Sequence, residues 1–205
     1  MKKFKLCLNE LGEKSSLSEL KKAIRKTMKE ARVNIIPQEK ANMEIAITER
    51  LAATKEYKES TIVLCYYSNT EEVSTRKLLE RAWEDNKIVG IPKCDKMTQT
   101  MAFFAINSYQ DIQTNENGFG EPDGKVLLSD FKRSICIVPA LVFDYRGCRI
   151  GYGTGYYDKF LATYPGTKIG ISFSQFMQRI VPKERHDIKM DYIITEKFTK
   201  QTGTR

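Results

Sequence analysis

Histidine is almost missing from this chain: His186 stands alone. That excludes a multi-histidine metal site and a histidine relay. Cysteine is sparse and scattered, with Cys7, Cys65, Cys94, Cys136 and Cys148 forming an odd set without a CxxC pair. This predicts reduced thiols in a cytoplasmic protein. No apolar run approaches the roughly 20 residues that span a bilayer. The first residues carry lysines but neither a continuous apolar core nor a small-residue cleavage site, so no secretory signal is expected. What is present is a soluble globular composition: 205 residues, 41% hydrophobic and 29% charged. The expected organisation is a loosely ordered lead-in over 1–16 and a single catalytic α/β domain over 17–205. Lysine and arginine outnumber aspartate and glutamate 34 to 26. A net charge of +8 attracts polyanions, whether nucleic acid, nucleoside triphosphate or a polyglutamylated small molecule.

Periodicity orders the chain. Leu17, Leu20, Ile24, Met28, Ala31 and Ile35 recur at helical spacing, with Ser16 or Ser18 as N-cap. The other faces of that helix carry Lys21, Lys22, Arg25, Lys26, Lys29 and Arg32. Pro37 opens a second helix that fades near Tyr57. Thr61–Tyr67 reads as a buried strand, Val73–Asn86 as a helix, Lys87–Pro92 and Met101–Ile106 as strands, and 113–129 as a loop. Ser134–Phe143 reads as the most apolar strand, followed by a turn at Asp144–Gly147. A glycine-rich segment leads into a helix over Tyr156–Tyr164, and Lys168–Phe173 and Tyr192–Thr195 finish as strands. Strands alternating with helices predict a mostly parallel sheet with ligands beyond the carboxyl ends of its strands.

Those ends carry Tyr67–Glu72, Pro92-Lys93, Asp144–Gly147 and the glycine-rich segment; four constellations along the chain can carry chemistry. Arg149-Ile150-Gly151-Tyr152-Gly153-Thr154-Gly155-Tyr156-Tyr157-Asp158 places glycines at alternate positions before a helix, a pattern suited to cradling an anion. It is neither GxxxxGK[ST] nor GxGxxG, and tight packing of backbones is the alternative reading. Lys21, Lys22, Arg25 and Lys26 crowd one end of the first helix, where they either neutralise a triphosphate or form a solvated face. Glu71-Glu72 either compensates a helix dipole or hydrogen-bonds the N–H groups of a heterocycle. Asp187 can join Asp158 around magnesium or cap a turn. Cys65, Cys136, Trp83, Phe103 and Phe104 read as core.

The run from Val138 through Asp144, Gly147 and Arg149 to Asp158 and Leu161 resembles the signature of the 5-formyltetrahydrofolate cyclo-ligase family, also called 5,10-methenyltetrahydrofolate synthetases. Lys21–Arg25, Tyr66–Thr75 and Asp187–Asp191 follow in that family's order, so the resemblance covers about residues 18–195. Ser74 departs from it, standing where the family often has an acid. The resemblance implies ATP- and magnesium-dependent cyclisation of 5-formyltetrahydrofolate to 5,10-methenyltetrahydrofolate, with ADP and phosphate released through a phosphorylated formyl intermediate. The fold it implies is three-layered, a mostly parallel sheet flanked by helices, similar to ribose-phosphate isomerases and CoA transferases. Lys21, Lys22, Ala23, Ile24 and Arg25, with Arg149 through Tyr157, would line ATP. Tyr67, Glu72 and the Tyr152–Tyr156 stretch (Tyr152, Gly153, Thr154, Gly155, Tyr156) would face the folate. Arg149, Tyr156 and Glu72 would be catalytic, with magnesium on Asp158 and Asp187; Asp191 is a weaker match. The implied partners are a small-molecule folate, polyglutamylated or not, and ATP. Nucleic acid and membrane are excluded from that reading, and the chain is expected to act as a monomer. Two other readings remain: a nucleic-acid-binding domain using the basic helix, and a relative that binds folate or nucleotide without turnover.

Overall fold

Five parallel strands carry the molecule. In the computed structural model, which describes residues 16–115 and 120–203, β1 (Ile62–Leu64) lies between β6 (Ser134–Val138) and β2 (Ile88–Asp95). β9 (Thr167–Ile171) and β10 (Tyr192–Ile194) extend the parallel array beyond β6. Antiparallel strands close both edges, β3 (Thr100–Ile106) against β2 and β11 (Thr199–Gln201) against β10. The sheet therefore has seven strands, ordered β11-β10-β9-β6-β1-β2-β3.

Every residue of β1 and β6 is buried, as expected of parallel strands covered on both faces. Alternation divides them between two cores. Val63, Ile135 and Ile137 join Ile24 and Met28 of α1 (Leu17–Val33), Met43, Ile47 and Leu51 of α2 (Pro37–Ala53), and Leu78 and Leu79 of α4 (Arg76–Glu84). Leu64, Cys136 and Val138 face the other way, toward Phe103, Ile193 and Leu161 of the short α5 (Tyr156–Leu161). The result is three unequal layers: long helices on one face, one short helix and loops on the other.

Several expected elements end early, each for a local reason. Of the lead-in, only Ser16 is among the described residues, and it belongs to α1 as its N-cap. Its hydroxyl accepts the Glu19 amide at 3.3 Å and Glu19 returns the bond to the Ser16 amide at 2.8 Å, a reciprocal cap of the kind worth about 1 kcal/mol. The second helix stops at Ala53, because the Thr54 hydroxyl caps a separate short helix, α3 (Lys55–Glu59). The first strand ends at Leu64 rather than Tyr67. Beyond it, Thr75 and Ser68 trade side-chain hydrogen bonds with each other's amides, and the Thr75 hydroxyl donates to the Tyr66 carbonyl, pulling 66–75 into a closed loop. That loop delays α4 to Arg76.

The apolar run 134–143 is two elements. Pro139 supplies no amide to a ladder, the carbonyls of Ala140 and Leu141 turn toward Arg32, and β7 (Val142–Phe143) pairs instead with β8 (Arg149–Ile150). The expected 113–129 loop contains a small ribbon, β4 (Ile112–Thr114) against β5 (Gly120–Pro122). β11 was not expected.

Candidate active site

The β7–β8 hairpin delivers the glycine loop. Its turn is fixed by Asp144, fully buried, whose carboxylate accepts the amides of Arg146, Cys148 and Val181. Gly147 sits at φ +83°, where a Cβ would lie 2.6 Å from the Met190 carbonyl, so only glycine fits. The next residue but one is Arg149, also buried. Its guanidinium donates to the Ile188 carbonyl at 2.6 Å and pairs with Asp158 at 2.8 Å.

The loop then crosses the carboxyl edge of the sheet. Tyr152 packs on the core beneath α1, while Tyr156 and Tyr157 pack on the opposite core. Gly153 and Gly155 take left-handed backbones, at φ +106° and +75°. Gly155 is the N-cap of α5 without a side-chain cap. Gly151 and Gly155 face open space. A Cβ at Gly153 would lie 3.2 Å from the Arg25 guanidinium, and Arg25 Nε donates to the Gly151 carbonyl at 2.9 Å. A cation from α1 therefore lies against the glycine loop, with open space at Gly151 and Gly155.

The other cations of α1 follow the same line. Lys21 is 6% exposed and holds both Glu184, at 2.7 Å, and Asp187, at 2.6 Å. Lys29 lies 5.5 Å from the Tyr152 ring centre. Arg32, 4% exposed, reaches three carbonyls beyond. At spacings of four, four and three, these side chains mark one helix face. Among the expected nucleotide-lining residues of this helix, Ile24 is core at 1% exposure, Ala23 is half-buried and Lys22 points to solvent.

At the far end lies Glu72, 7% exposed. Its carboxylate accepts the Asn69 amide at 3.0 Å. Burial pushes its carboxyl above the usual glutamate range, while the Asn69 amide, the Tyr152 hydroxyl and the Arg32 charge pull it back. The helix-dipole alternative for this acid is excluded, because α4 starts four residues later with no acid in its first turn. The Tyr152 hydroxyl is buried beside the Glu72 carboxylate and Asn69 without a well-aligned hydrogen bond to either, and the Tyr157 hydroxyl is buried with no partner among the described residues. Tyr67 is half-buried, with the Arg76 guanidinium 5.4 Å from its ring centre and the Gly120 backbone against the ring. Tyr67, Asn69 and Arg76 line a cleft of about 610 Å³ bounded by α2 and β5.

The two expected metal ligands converge on one segment. Asp158 Oδ1 accepts the Ile188 amide at 3.0 Å, and Asp187 precedes Ile188. Each carboxylate has one committed oxygen. Asp158 gives Oδ1 to Arg149 and Ile188, and Asp187 gives Oδ2 to Lys21 and the Glu184 amide. Asp158 Oδ2 has no hydrogen bond among the described residues, and Asp187 Oδ1 has only His186 at 3.8 Å. Two hard oxygens beside the glycine loop fit a magnesium ion that keeps most of its water. Burial alone would raise the Asp187 carboxyl, but Lys21 and the Glu184 amide hold it below the usual aspartate range. Asp191 belongs elsewhere. It accepts the Lys168 amide at 2.8 Å, at the amino end of β9 and β10, across the sheet from the glycine loop.

Comparison with known proteins now decides the family. Residues 17–196 match the sequence model of the 5-formyltetrahydrofolate cyclo-ligase family. The chain belongs to that family. Its relatives in this family of ligases include the 5-formyltetrahydrofolate cyclo-ligase of Mus musculus, 24% identical over 88% of this chain and 96% of the mouse protein. A probable 5-formyltetrahydrofolate cyclo-ligase of Schizosaccharomyces pombe is 28% identical over 74% of this chain and 82% of its own length. The NMR structure of Aquifex aeolicus 5,10-methenyltetrahydrofolate synthetase superposes with a TM-score of 0.80 at 25% identity, covering 91% of this chain and 94% of that one. The Mycoplasma pneumoniae synthetase shares the fold at a TM-score of 0.65.

Sequence reasoning did not place Lys29, Arg32 and Glu184 beside the glycine loop and its partners. Lys29 and Arg32 were legible as the continuation of the Lys21–Arg25 spacing along the helix. The partnership of Glu184 with Lys21 spans 163 residues and leaves no local trace.

Proposed function

We propose that this cyclo-ligase converts 5-formyltetrahydrofolate to 5,10-methenyltetrahydrofolate, consuming ATP and releasing ADP and phosphate. The observation that carries this reading is the single loop 149–158. One flank of it touches the cations and carboxylates suited to a triphosphate, and the other places Tyr152 beside the buried acid Glu72.

A formyl oxygen is a poor leaving group. Transfer of the γ-phosphoryl group to it, with ADP departing, forms an iminium-type phosphate ester on N5. N10 then attacks the formyl carbon, the carbon–oxygen bond breaks, phosphate leaves with that oxygen, and N10 gives up its proton. Arg149, Arg25 and the glycine-loop amides would spread the charge of the transferring group, which is the dominant demand of phosphoryl transfer. Glu72, with Tyr67 and Tyr152, would hold the pterin so that N10 meets the activated carbon. Tyr156, half-buried on the same loop, would close the site over the formyl group. Asp158 and Asp187 would hold magnesium, which when bound offsets charge on the phosphates. The cleft beside Tyr67 would take the aminobenzoyl-glutamate end, with Arg76 available to a tail carboxylate. The described cysteines are free thiols, which agrees with action in the cytoplasm.

The test is the absorbance of the methenyl product, followed with ATP present or omitted and with magnesium present or chelated. Product that requires both supports the reading. Tight binding of 5-formyltetrahydrofolate without product would make the chain a non-catalytic binder.

A further inference from the structure

Arg32 is a buried cation with no ion pair among the described residues. Its Nη1 donates to the Glu71 carbonyl at 3.1 Å, and its Nη2 donates to the carbonyls of Ala140 and Leu141, both at 2.8 Å. Its Nε is buried with no partner. The guanidinium lies 5.6 Å from the centre of the Phe176 ring, and no carboxylate among the described residues forms an ion pair with it. A charge placed so is costly unless something uses it, and an apolar side chain would fill the same space without that cost.

The three carbonyls come from the two segments that must meet for the site to exist. Glu71 belongs to the closed loop 66–75 that carries Glu72. Ala140 and Leu141 form the turn between β6 and β7, which feeds the hairpin and its glycine loop. One side chain from α1 therefore fastens the acid to the cradle. We propose that Arg32 is a positioning residue for the reaction: it locks the Glu72 loop against the β6–β7 turn and sets its unpaired charge facing the Glu72 carboxylate, so that the acid meets the N–H groups of the substrate heterocycle ionised. This rests on the cyclo-ligase reading above.

The charged and titratable groups around Glu72 are few. Arg32 comes from α1, Tyr152 from the glycine loop, Glu71 and Tyr66 from its own loop, Cys65 from the residue after β1, and Tyr157 from α5. Of these, Arg32 alone is positive. Burial raises the Glu72 carboxyl, and Arg32 opposes that rise. Because an acceptor of N–H groups must be ionised, turnover falls as pH drops through the Glu72 value. Losing the Arg32 charge moves that acidic limb upward.

The experiment measures kcat/KM for 5-formyltetrahydrofolate against pH at saturating ATP, with Glu72→Gln assigning the limb. In Arg32→Met and Arg32→Gln the limb is expected about one pH unit higher, the scale of removing one nearby opposite charge. The folate KM rises and the ATP KM holds. Arg32→Lys keeps the limb of the unaltered enzyme. A purely structural role would lower the melting temperature and leave the limb in place, so a folded neutral variant with an unmoved limb overturns the proposal. If neither neutral variant folds, Arg32→Lys decides, and an upward-shifted limb there overturns it. Failure of all three to fold assigns Arg32 to folding alone and also overturns it. Absence of product from the unaltered chain would instead defeat the cyclo-ligase reading. The pH dependence of 5-formyltetrahydrofolate binding, measured by calorimetry without ATP, then still tests Arg32.

Discussion

Arg149 Nη2 lies 2.8 Å from Asp158 Oδ1, and that same oxygen accepts the Ile188 amide at 3.0 Å. A strand residue, a helix residue and the segment bearing Asp187 are thereby tied at one atom. Arg149 orients the carboxylate, and under the proposed function it would also offer charge to a phosphate. Arg149→Ala is expected to lower kcat/KM for ATP and raise the magnesium requirement, while the folate KM stays near its starting value. It also strands Asp158 beside a buried site, costing about 3 kcal/mol of stability. Arg149→Lys should recover charge but not the two-point grip, so its rescue is partial. Steady-state kinetics with each substrate varied, and denaturant titration of the same variants, check both halves.

Glu72 and Glu71 are neighbours in sequence with opposite fates, one buried and one half-exposed. Glu72→Gln removes a charged acceptor and should reduce kcat/KM for the folate roughly 10- to 100-fold, as expected for a hydrogen bond to a charged group. ATP binding should be spared and Glu71→Gln should be mild. The raised Glu72 carboxyl binds more protons folded than unfolded, so its ionisation opposes folding as pH rises above the ordinary glutamate value. Glu72→Gln should therefore gain stability relative to the unaltered chain on going from acidic to neutral pH. Paired thermal melts across that interval would reveal the crossover.

The Tyr152 hydroxyl is buried beside the Glu72 carboxylate, where it counters the effect of burial on that acid. Tyr152→Phe should therefore push the Glu72 carboxyl further up and weaken 5-formyltetrahydrofolate turnover near neutral pH. A variant with unchanged folate kcat/KM would show the hydroxyl to be idle.

The architecture was legible because parallel strands buried on both faces are written as apolar runs, and Thr61–Tyr67 and Ser134–Phe143 announce themselves. Their ends were not, because side chains set them. The Thr75 hydroxyl turns the chain after Leu64, and Arg32 draws the Ala140 and Leu141 carbonyls out of register. The expected apolar stripe on α1 faces the core, with Ile24 and Met28 buried and Leu20, Ala31 and Ile35 packed against them, but Leu17 is exposed and two cations, Lys21 and Arg32, are buried as well. Hydropathy places a cation outward by default. Only the partners, Asp187 and Glu184 for one and three carbonyls for the other, bring these two inside. The strand-to-helix glycine loop was readable from its alternate glycines, whereas the commitment of Asp158 to Arg149 required coordinates.

Among the loop glycines, two respond differently to alanine. Gly153 has φ +106°, and a Cβ there meets Arg25 at 3.2 Å. Gly153→Ala should cost about 1–2 kcal/mol from the backbone alone and displace Arg25 from the cradle. Gly151 has no positive φ and open space beside it, so Gly151→Ala should keep the melting temperature while a methyl group intrudes where phosphate would lie. Loss of ATP affinity with unchanged stability at Gly151, against loss of both at Gly153, separates cradle from scaffold.

Magnesium dependence should divide between the two aspartates by how each is held. Asp158 lies in the first turn of α5 beside the glycines, with Oδ2 free of hydrogen bonds, so Asp158→Asn removes the better-placed donor. It should depress activity strongly and be partly recovered by added magnesium. Asp187 anchors Lys21, and its loss leaves that buried ammonium to Glu184 alone. Asp187→Asn should therefore lower activity less through the metal and lower stability more. The Asp187 carboxyl is held below its ordinary value and the Lys21 ammonium above its own. The pair then stabilises the fold across neutral pH. Its contribution fades as pH falls from the unfolded aspartate range through the folded Asp187 value, and as pH rises from the unfolded lysine range through the folded Lys21 value. The stability gap between the unaltered chain and Asp187→Asn should be widest near neutrality and close in strong acid. A gap that persists unchanged in acid would mean that Asp187 stabilises by packing rather than by charge. Equal magnesium responses of both variants would mean that the ion sits evenly between the two carboxylates.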